Sequence, residues 1–237
     1  MGRSVLLGIV AGLVALVWAA PALSQSPVVF VDDSTPARYN AALGTSLDAT
    51  QNQFPCANAL CGDPIINPAP EPDLSAASAA LGDWLSNPPV LNANWSGAQA
   101  IPPSWDLNTE TAIVYEIDAG RCGAQSVTGS FGVDNGIFVW VNGLYAFGAL
   151  APGGAIAGEY AVPLGNLPPG TNFVQILRED HGGLTGYSVQ ITGNVSACGS
   201  DDEDDDEDED DEDDDDDEHG DHEHGDREHG DHEDRDR

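Results

Sequence analysis

The chain of 237 residues has no lysine, a single methionine and seven arginines set against 41 acidic residues, for a formal net charge of −34. A chain this acidic does not bind nucleic acid or anionic lipid by charge attraction. The missing lysine fits a saline habitat and GC-rich coding equally well. Catalytic signatures are missing too. No GxSxG, HExxH or P-loop pattern occurs, so neither a nucleophile elbow nor a zincin helix nor a phosphate cradle is indicated. Long apolar runs are scarce, and there is one, Val5 to Ala20. It follows a short positive start, Met1-Gly2-Arg3-Ser4, and precedes small residues at Ala22 and Ser24. That order predicts a signal peptide over residues 1–24, removed before Gln25. An uncleaved anchor is the alternative, but the 16-residue run falls short of the roughly 20 that a spanning helix needs. The mature chain is therefore expected to have no membrane span and to be secreted, periplasmic or on the cell surface.

Cysteine is sparse but even in number: Cys56, Cys61, Cys122 and Cys198. In an exported chain this favours disulfides, for which three pairings exist. The favoured one joins Cys56 to Cys61 across a small loop and Cys122 to Cys198. A half zinc site at Cys56 and Cys61 is the alternative, although no histidine or second close cysteine pair accompanies it.

The composition breaks at residue 200. From Asp201 to Arg237, 26 of 37 residues are Asp or Glu, five are His and three are Arg, with no Val, Ile, Leu, Phe, Trp or Tyr. Such a segment cannot bury enough apolar surface to offset the entropy of ordering it, so 200–237 is expected to be a disordered acidic tail. Asp201 to Glu218 is a continuous acidic block. It is followed by repeats of the type Glu218-His219-Gly220-Asp221-His222. Carboxylates suit calcium and imidazoles suit zinc. The tail residues His219, Asp221, His222, His224, Asp226, His229, Asp231 and His232 are thus candidates for weak, multi-site cation binding, with calcium or zinc as the ion. A basic protein is an alternative partner, and a solvated polyanion that only keeps the chain soluble is the bland one.

Between these ends, residues 25–104 read as a loop-rich N-terminal part, broken by Pro36, Pro55, Pro64, Pro68, Pro70 and Pro72. A short helix is predicted over 74–85, with Asp73 as its N-cap and Leu74, Ala77, Leu81 and Trp84 at helical spacing. Val28 to Val31 is a short strand candidate. Residues 105–199 read as the β core, with strands near 112–117, 126–133, 137–141, 144–147, 158–162, 172–177 and 187–191, and with Gly129 as a possible bulge. Asn142-Gly143 between two apolar runs signals a tight hairpin, since a type I′ turn needs positive φ at both central positions. Several short strands with few helices predict an all-β fold, an antiparallel β-sandwich.

The run Val133-Asp134-Asn135-Gly136-Ile137-Phe138-Val139-Trp140-Val141-Asn142-Gly143 resembles the central hairpin of galactose-binding-like jelly-roll domains. Gly158-Glu159-Tyr160 and the turn from Leu164 through Gly170 to Asn172 resemble that superfamily's next strand and connection. The combination is similar to exported bacterial proteins carrying a PEP-CTERM sorting segment, a segment this chain lacks, with the acidic tail in its place. The resemblance spans about residues 105–193. It implies a jelly roll and, as a partner, a carbohydrate or cell-surface polymer, often without catalysis.

Candidate ligand residues follow, each with a structural alternative. Asp134 and Asn135 sit at an inter-strand turn, where Asx chemistry alone accounts for them; the functional alternative is a contact to a sugar hydroxyl or calcium at a loop tip. Arg178-Glu179-Asp180-His181-Gly182-Gly183 is the most polar island of the β region, with Arg178, Asp180 and His181 as its candidate ligands. A strand end with Arg178 paired to a carboxylate is the structural alternative. Asp180 and His181 are sequence neighbours on a strand and point to opposite faces, which argues against a dyad. Trp95 and Trp105, in Pro- and Asn-rich surroundings, are the expected exposed stacking platforms. Trp140 is expected in the core, because Phe138 and Trp140 share one face of an apolar strand and Ile137, Val139 and Val141 the other. The leading expectation is an exported, non-catalytic binding sandwich. A tail-driven metal buffer or mineral anchor, and a secreted hydrolase, are the alternatives.

Overall fold

The computed structural model describes residues 27–47, 65–151 and 153–198. The predicted leader, the predicted Cys56–Cys61 bond and the acidic tail lie outside them. Among the described residues, nine strands form two antiparallel sheets. Strands β1 (Val28–Val31), β9 (Gly186–Val195), β4 (Ala124–Asp134) and β7 (Tyr160–Leu167) lie in that order in the first sheet. Strands β2 (Arg38–Gly44), β3 (Glu110–Asp118), β8 (Thr171–Glu179), β5 (Gly136–Val141) and β6 (Leu144–Leu150) make the second. The architecture is an all-β sandwich of the jelly-roll kind with one short helix.

The alternation within β5 decides the layering. Ile137 and Val139 face the space between the sheets, where they meet Phe131, Val133, Val174, Ile176, Val189 and Ile191. Phe138 and Trp140 face the other way, into a second apolar cluster with Leu177, Leu81, Trp84 and Trp95. The second cluster exists because the N-terminal part folds over the outer face of the five-stranded sheet. A strand buried on both faces carries apolar residues on both. Trp140 is 0 % exposed, packs edge-on to Trp84 and Tyr145, and donates its indole N–H to Glu71 at 2.8 Å.

The helix is shorter than the spacing predicts. A 3-10 turn over Ser75–Ala77 leads into α1, Ser78–Leu81, and Gly82 at φ 62° ends it. Asp73 accepts a hydrogen bond from the Ser75 N–H (2.9 Å), one position before the flanking residue Leu74. Ala77, Leu81 and Trp84 are nevertheless buried as their period requires. Strand β2 was not foreseen, since Arg-Tyr-Asn-Ala-Ala-Leu-Gly carries no clear alternation. The bulge is not at Gly129. The register of β4 shifts between Gln125 and Thr128, around Ser126 at φ 52°. Gly129 instead makes room for the ring of Phe131, which a Cβ there would meet at 2.4 Å. The Asn142-Gly143 hairpin has φ of 50° and 78°, as a type I′ turn demands. Cys122 and Cys198 are bonded, tying the approach to β4 to the residues after β9.

Candidate functional site at one end of the sandwich

Strand direction brings four loops to the same end. The start of β3 lies beside the end of β8, the start of β5 beside both that end and the end of β6, and the end of β4 beside the start of β9. Segments 101–109, 134–135, 153–159 and 180–185 therefore share one rim. Of the predicted ligand residues, Asp134, Asn135, Trp105, Arg178, Asp180 and His181 are gathered there. Trp95 is not. It is 8 % exposed, stacks on Trp84 with centroids 5.7 Å apart and donates its indole N–H to the Leu81 carbonyl. The expectation of an exposed platform at Trp95 is corrected: its loop lies on an apolar layer, and burial of the ring outweighs the polar sequence around it.

The rim is laced by side-chain to backbone hydrogen bonds. Buried Asn135, which follows a cis peptide at Asp134–Asn135, accepts from the His181 N–H at 2.9 Å through Oδ1. Its own N–H donates to the Glu179 carbonyl. Asp180 accepts from the N–H groups of Asn108 (2.6 Å) and Gly182 (2.9 Å), the latter in a Gly182-Gly183 turn at φ 100° and 89°. Thr185 accepts from the Trp105 N–H and donates to the Trp105 carbonyl, both at 2.9 Å. Glu159 takes the N–H groups of Val133 and Gly154. Three apolar tips, Leu107, Ile156 and Leu184, stay exposed on these same loops.

His181 does find a carboxylate, two residues back rather than one. Its Nε2 lies 2.9 Å from Glu179 Oε2, a close charge contact outside aligned hydrogen-bond geometry. Residues two apart on an extended chain share a face, and that rule applied to Glu179 would have found the pair. The Glu179 and His181 side chains are only 0 % and 8 % exposed. Glu179 also presses on Gly136, where a Cβ would sit 2.0 Å from its Oε1. Arg178 points the opposite way, into the inter-sheet core, and among the described residues it is not paired to a carboxylate. Nε donates to Thr111 Oγ1 (3.1 Å) and Nη1 to the Pro102 carbonyl (2.9 Å). The guanidinium carbon lies 4.2 Å from the Trp105 ring centroid, 4.8 Å from that of Tyr187 and 5.5 Å from that of Tyr39. Nothing in the order of residues announces this aromatic cage, since its rings come from β2, the rim loop and β9.

Among the described residues no group of three or more His, Cys, Asp or Glu is arranged to hold a metal ion. Likewise, no helix among them is long and apolar enough to cross a membrane. The predicted tail ligands from His219 to His232 lie outside the described residues.

No protein-family model matches the chain, and no curated protein matches it. Among solved structures it is similar to the Ruminococcus gnavus beta-glucuronidase crystallised with uronic isofagomine, at 10 % identity and a TM-score of 0.40. That likeness covers 74 % of this chain and 30 % of the other.

Proposed function

We propose that the chain is an exported, non-catalytic binding protein whose sandwich contacts a carbohydrate or surface polymer through the rim loops. The observation that supports this reading is how the rim is built. Four loops are fixed to one another by Asn135, Glu159, Asp180 and Thr185, and they hold Trp105 half-exposed beside apolar tips. A frame ordered before the ligand arrives loses little entropy on binding. Of the polar groups best suited to acid–base chemistry, Glu179 is fully buried and the His181 side chain only 8 % exposed. Export accords with the Cys122–Cys198 bond, since disulfides persist in oxidising compartments. The test is retention on a panel of insoluble polysaccharides. Retention by at least one, weakened by Trp105→Ala, is expected. Release of reducing sugar from any of them would overturn the non-catalytic reading.

The tail supports a second activity, weak binding of calcium or zinc, on the strength of 26 acidic residues and five histidines in 37 positions. Such a tail also suits a mineral surface or a basic protein. Calorimetric titration of both ions into the full chain and into a chain ending at Gly199 decides this. Weak, multi-site heat only in the full chain is expected, whereas one tight ion in the shorter chain would move the site to the sandwich.

A further inference from the structure

A cavity of about 170 Å³ opens beside the rim, between β2, segment 101–109 and the start of β3. Two aromatic residues, Tyr39 and Trp105, line it, together with Ser104, Thr109, Thr111 and Asp106. The space is small beside the roughly 300 Å³ at the lower end of drug-sized pockets, so it admits a single ring. Its wall is held in place before any ligand arrives. The Trp105 backbone is tied to Thr185 at both polar atoms, and its indole N–H donates to the Thr109 carbonyl at 2.9 Å. The buried Arg178 guanidinium lies against Trp105 and Tyr39 but does not line the cavity. Trp105 is nevertheless half-exposed, so the rest of its surface is a fixed apolar platform.

Asp106 is the charged member of this wall. Its backbone carbonyl takes the Thr109 hydroxyl at 2.7 Å. Its carboxylate is exposed and accepts no hydrogen bond from the described residues. An ionised carboxylate offers acceptors and no donor. It therefore meets the hydroxyls of a ring seated beside it and repels a second carboxylate there. Repulsion between like charges in contact lies between its values in bulk water and at a protein surface, enough for about tenfold in affinity or more. The guanidinium behind the wall weighs against an ammonium group as well, because it already draws on both rings.

We propose that this cavity is a subsite for an uncharged sugar ring and that Asp106 sets its specificity, accepting hydroxyls and turning acidic sugars away; the inference rests on the carbohydrate-binding reading above. The sugar lies against Trp105 with its hydroxyls toward Asp106. The polymer that fits is a neutral glycan rather than one of uronate or sulfated units. The net charge of −34 acts in the same direction at long range. Salt separates the two effects. At about 0.15 M the Debye length is about 8 Å, so distant charges are screened while a contact with Asp106 persists. Asp106→Asn removes that contact and leaves the long-range field almost intact.

The test titrates two matched pairs into the full chain at about 0.15 M salt: the methyl glycosides of galactose and galacturonate, and those of glucose and glucuronate. Calorimetry and tryptophan fluorescence follow binding. In at least one pair the neutral member should saturate and bind about tenfold or more tightly than its acid. Asp106→Asn should shrink that gap to about threefold or less, because the acid is no longer repelled at the wall. Trp105→Ala should weaken the neutral member severalfold. Circular dichroism checks that both variants fold, and the comparison of acid with neutral sugar on the unaltered chain needs neither. An acid that binds as tightly as its neutral partner, or an unchanged gap in folded Asp106→Asn, or glucosamine in its ammonium form binding more tightly than the methyl glucoside, would each overturn the subsite. Retention on polysaccharides with no response to either neutral glycoside would sink the subsite and leave the carbohydrate-binding reading standing. A neutral glycoside bound with no polymer retained would do the opposite, and neither bound would end both.

Discussion

Trp140 and Trp105 have the same side chain and opposite surroundings, and mutation should separate them. Trp140 is enclosed by Trp84, Tyr145 and Phe138 and has its N–H satisfied by Glu71. Trp140→Ala should cost about 4 kcal/mol in urea unfolding, the usual size for a deleted core tryptophan. Trp105→Ala removes a half-buried ring and one face of the Arg178 cage, so it should cost less than half as much stability while weakening polymer retention. The core position of Trp140 was readable in advance, because alternation along residues 137–141 puts large apolar groups on both faces. The burial of Trp95 was not, because it depends on the layer made by Leu81 and Trp84, which arrives from elsewhere in the chain.

At the scale of elements, turns carry the register of the sandwich. The Asn142-Gly143 turn joins β5 to β6 and lies under the N-terminal layer. A Cβ at Gly143 would meet the Leu85 carbonyl oxygen at 2.4 Å, on a backbone at φ 78°. Gly165 has a comparable φ of 83° but open space around it. Gly165→Ala should therefore cost about 1 kcal/mol, the left-handed backbone penalty alone. Gly143→Ala should cost at least twice as much, measured by the shift in thermal midpoint. Equal losses would show that the Leu85 contact yields freely. The hairpin was visible in two residues of sequence. Strand β2 was not, since Ala41 and Ala42 give it no alternation and its pairing to β3 supplies what propensity does not. The helix likewise stops at Gly82, earlier than its apolar period suggests, because Trp84 reaches the same layer without being helical.

For the whole molecule, the Cys122–Cys198 bond and four phenols, two buried and two half-buried, help set the conditions under which it stays folded. The Cys122–Cys198 bond closes 76 residues of chain. Replacing both cysteines by serine should lower stability by about 4 kcal/mol on the chain-entropy account, read from urea midpoints with and without reductant. Burial raises the pKa of Tyr115 to about 12 and pushes those of Tyr145, Tyr160 and Tyr187 above the ordinary value of 10.0. A raised folded pKa means the folded state keeps a proton that the unfolded chain gives up near pH 10. The stability these groups contribute is thus fully present below pH 10 and lost as pH rises toward 12. Phenolate absorbance should consequently appear together with loss of near-ultraviolet dichroism. Ionisation of these four phenols at pH 10 in a still-folded chain would contradict this.

The sequence by itself determined the all-β class, the central hairpin, the two-faced burial of β5 and the break in composition at residue 200. Each follows from local rules: period-2 alternation, positive φ at Asn-Gly, and a stretch too polar to bury. Only the tertiary structure decided which polar residues meet. Alternation argued against a pair of Asp180 with His181, and the fold set His181 against Glu179, its neighbour two residues back. It also turned Arg178 inward to three rings drawn from β2, the rim loop and β9, and placed Trp95 under a second layer. Those contacts join residues tens of positions apart, and their geometry is fixed by strand order and register, which no local pattern encodes.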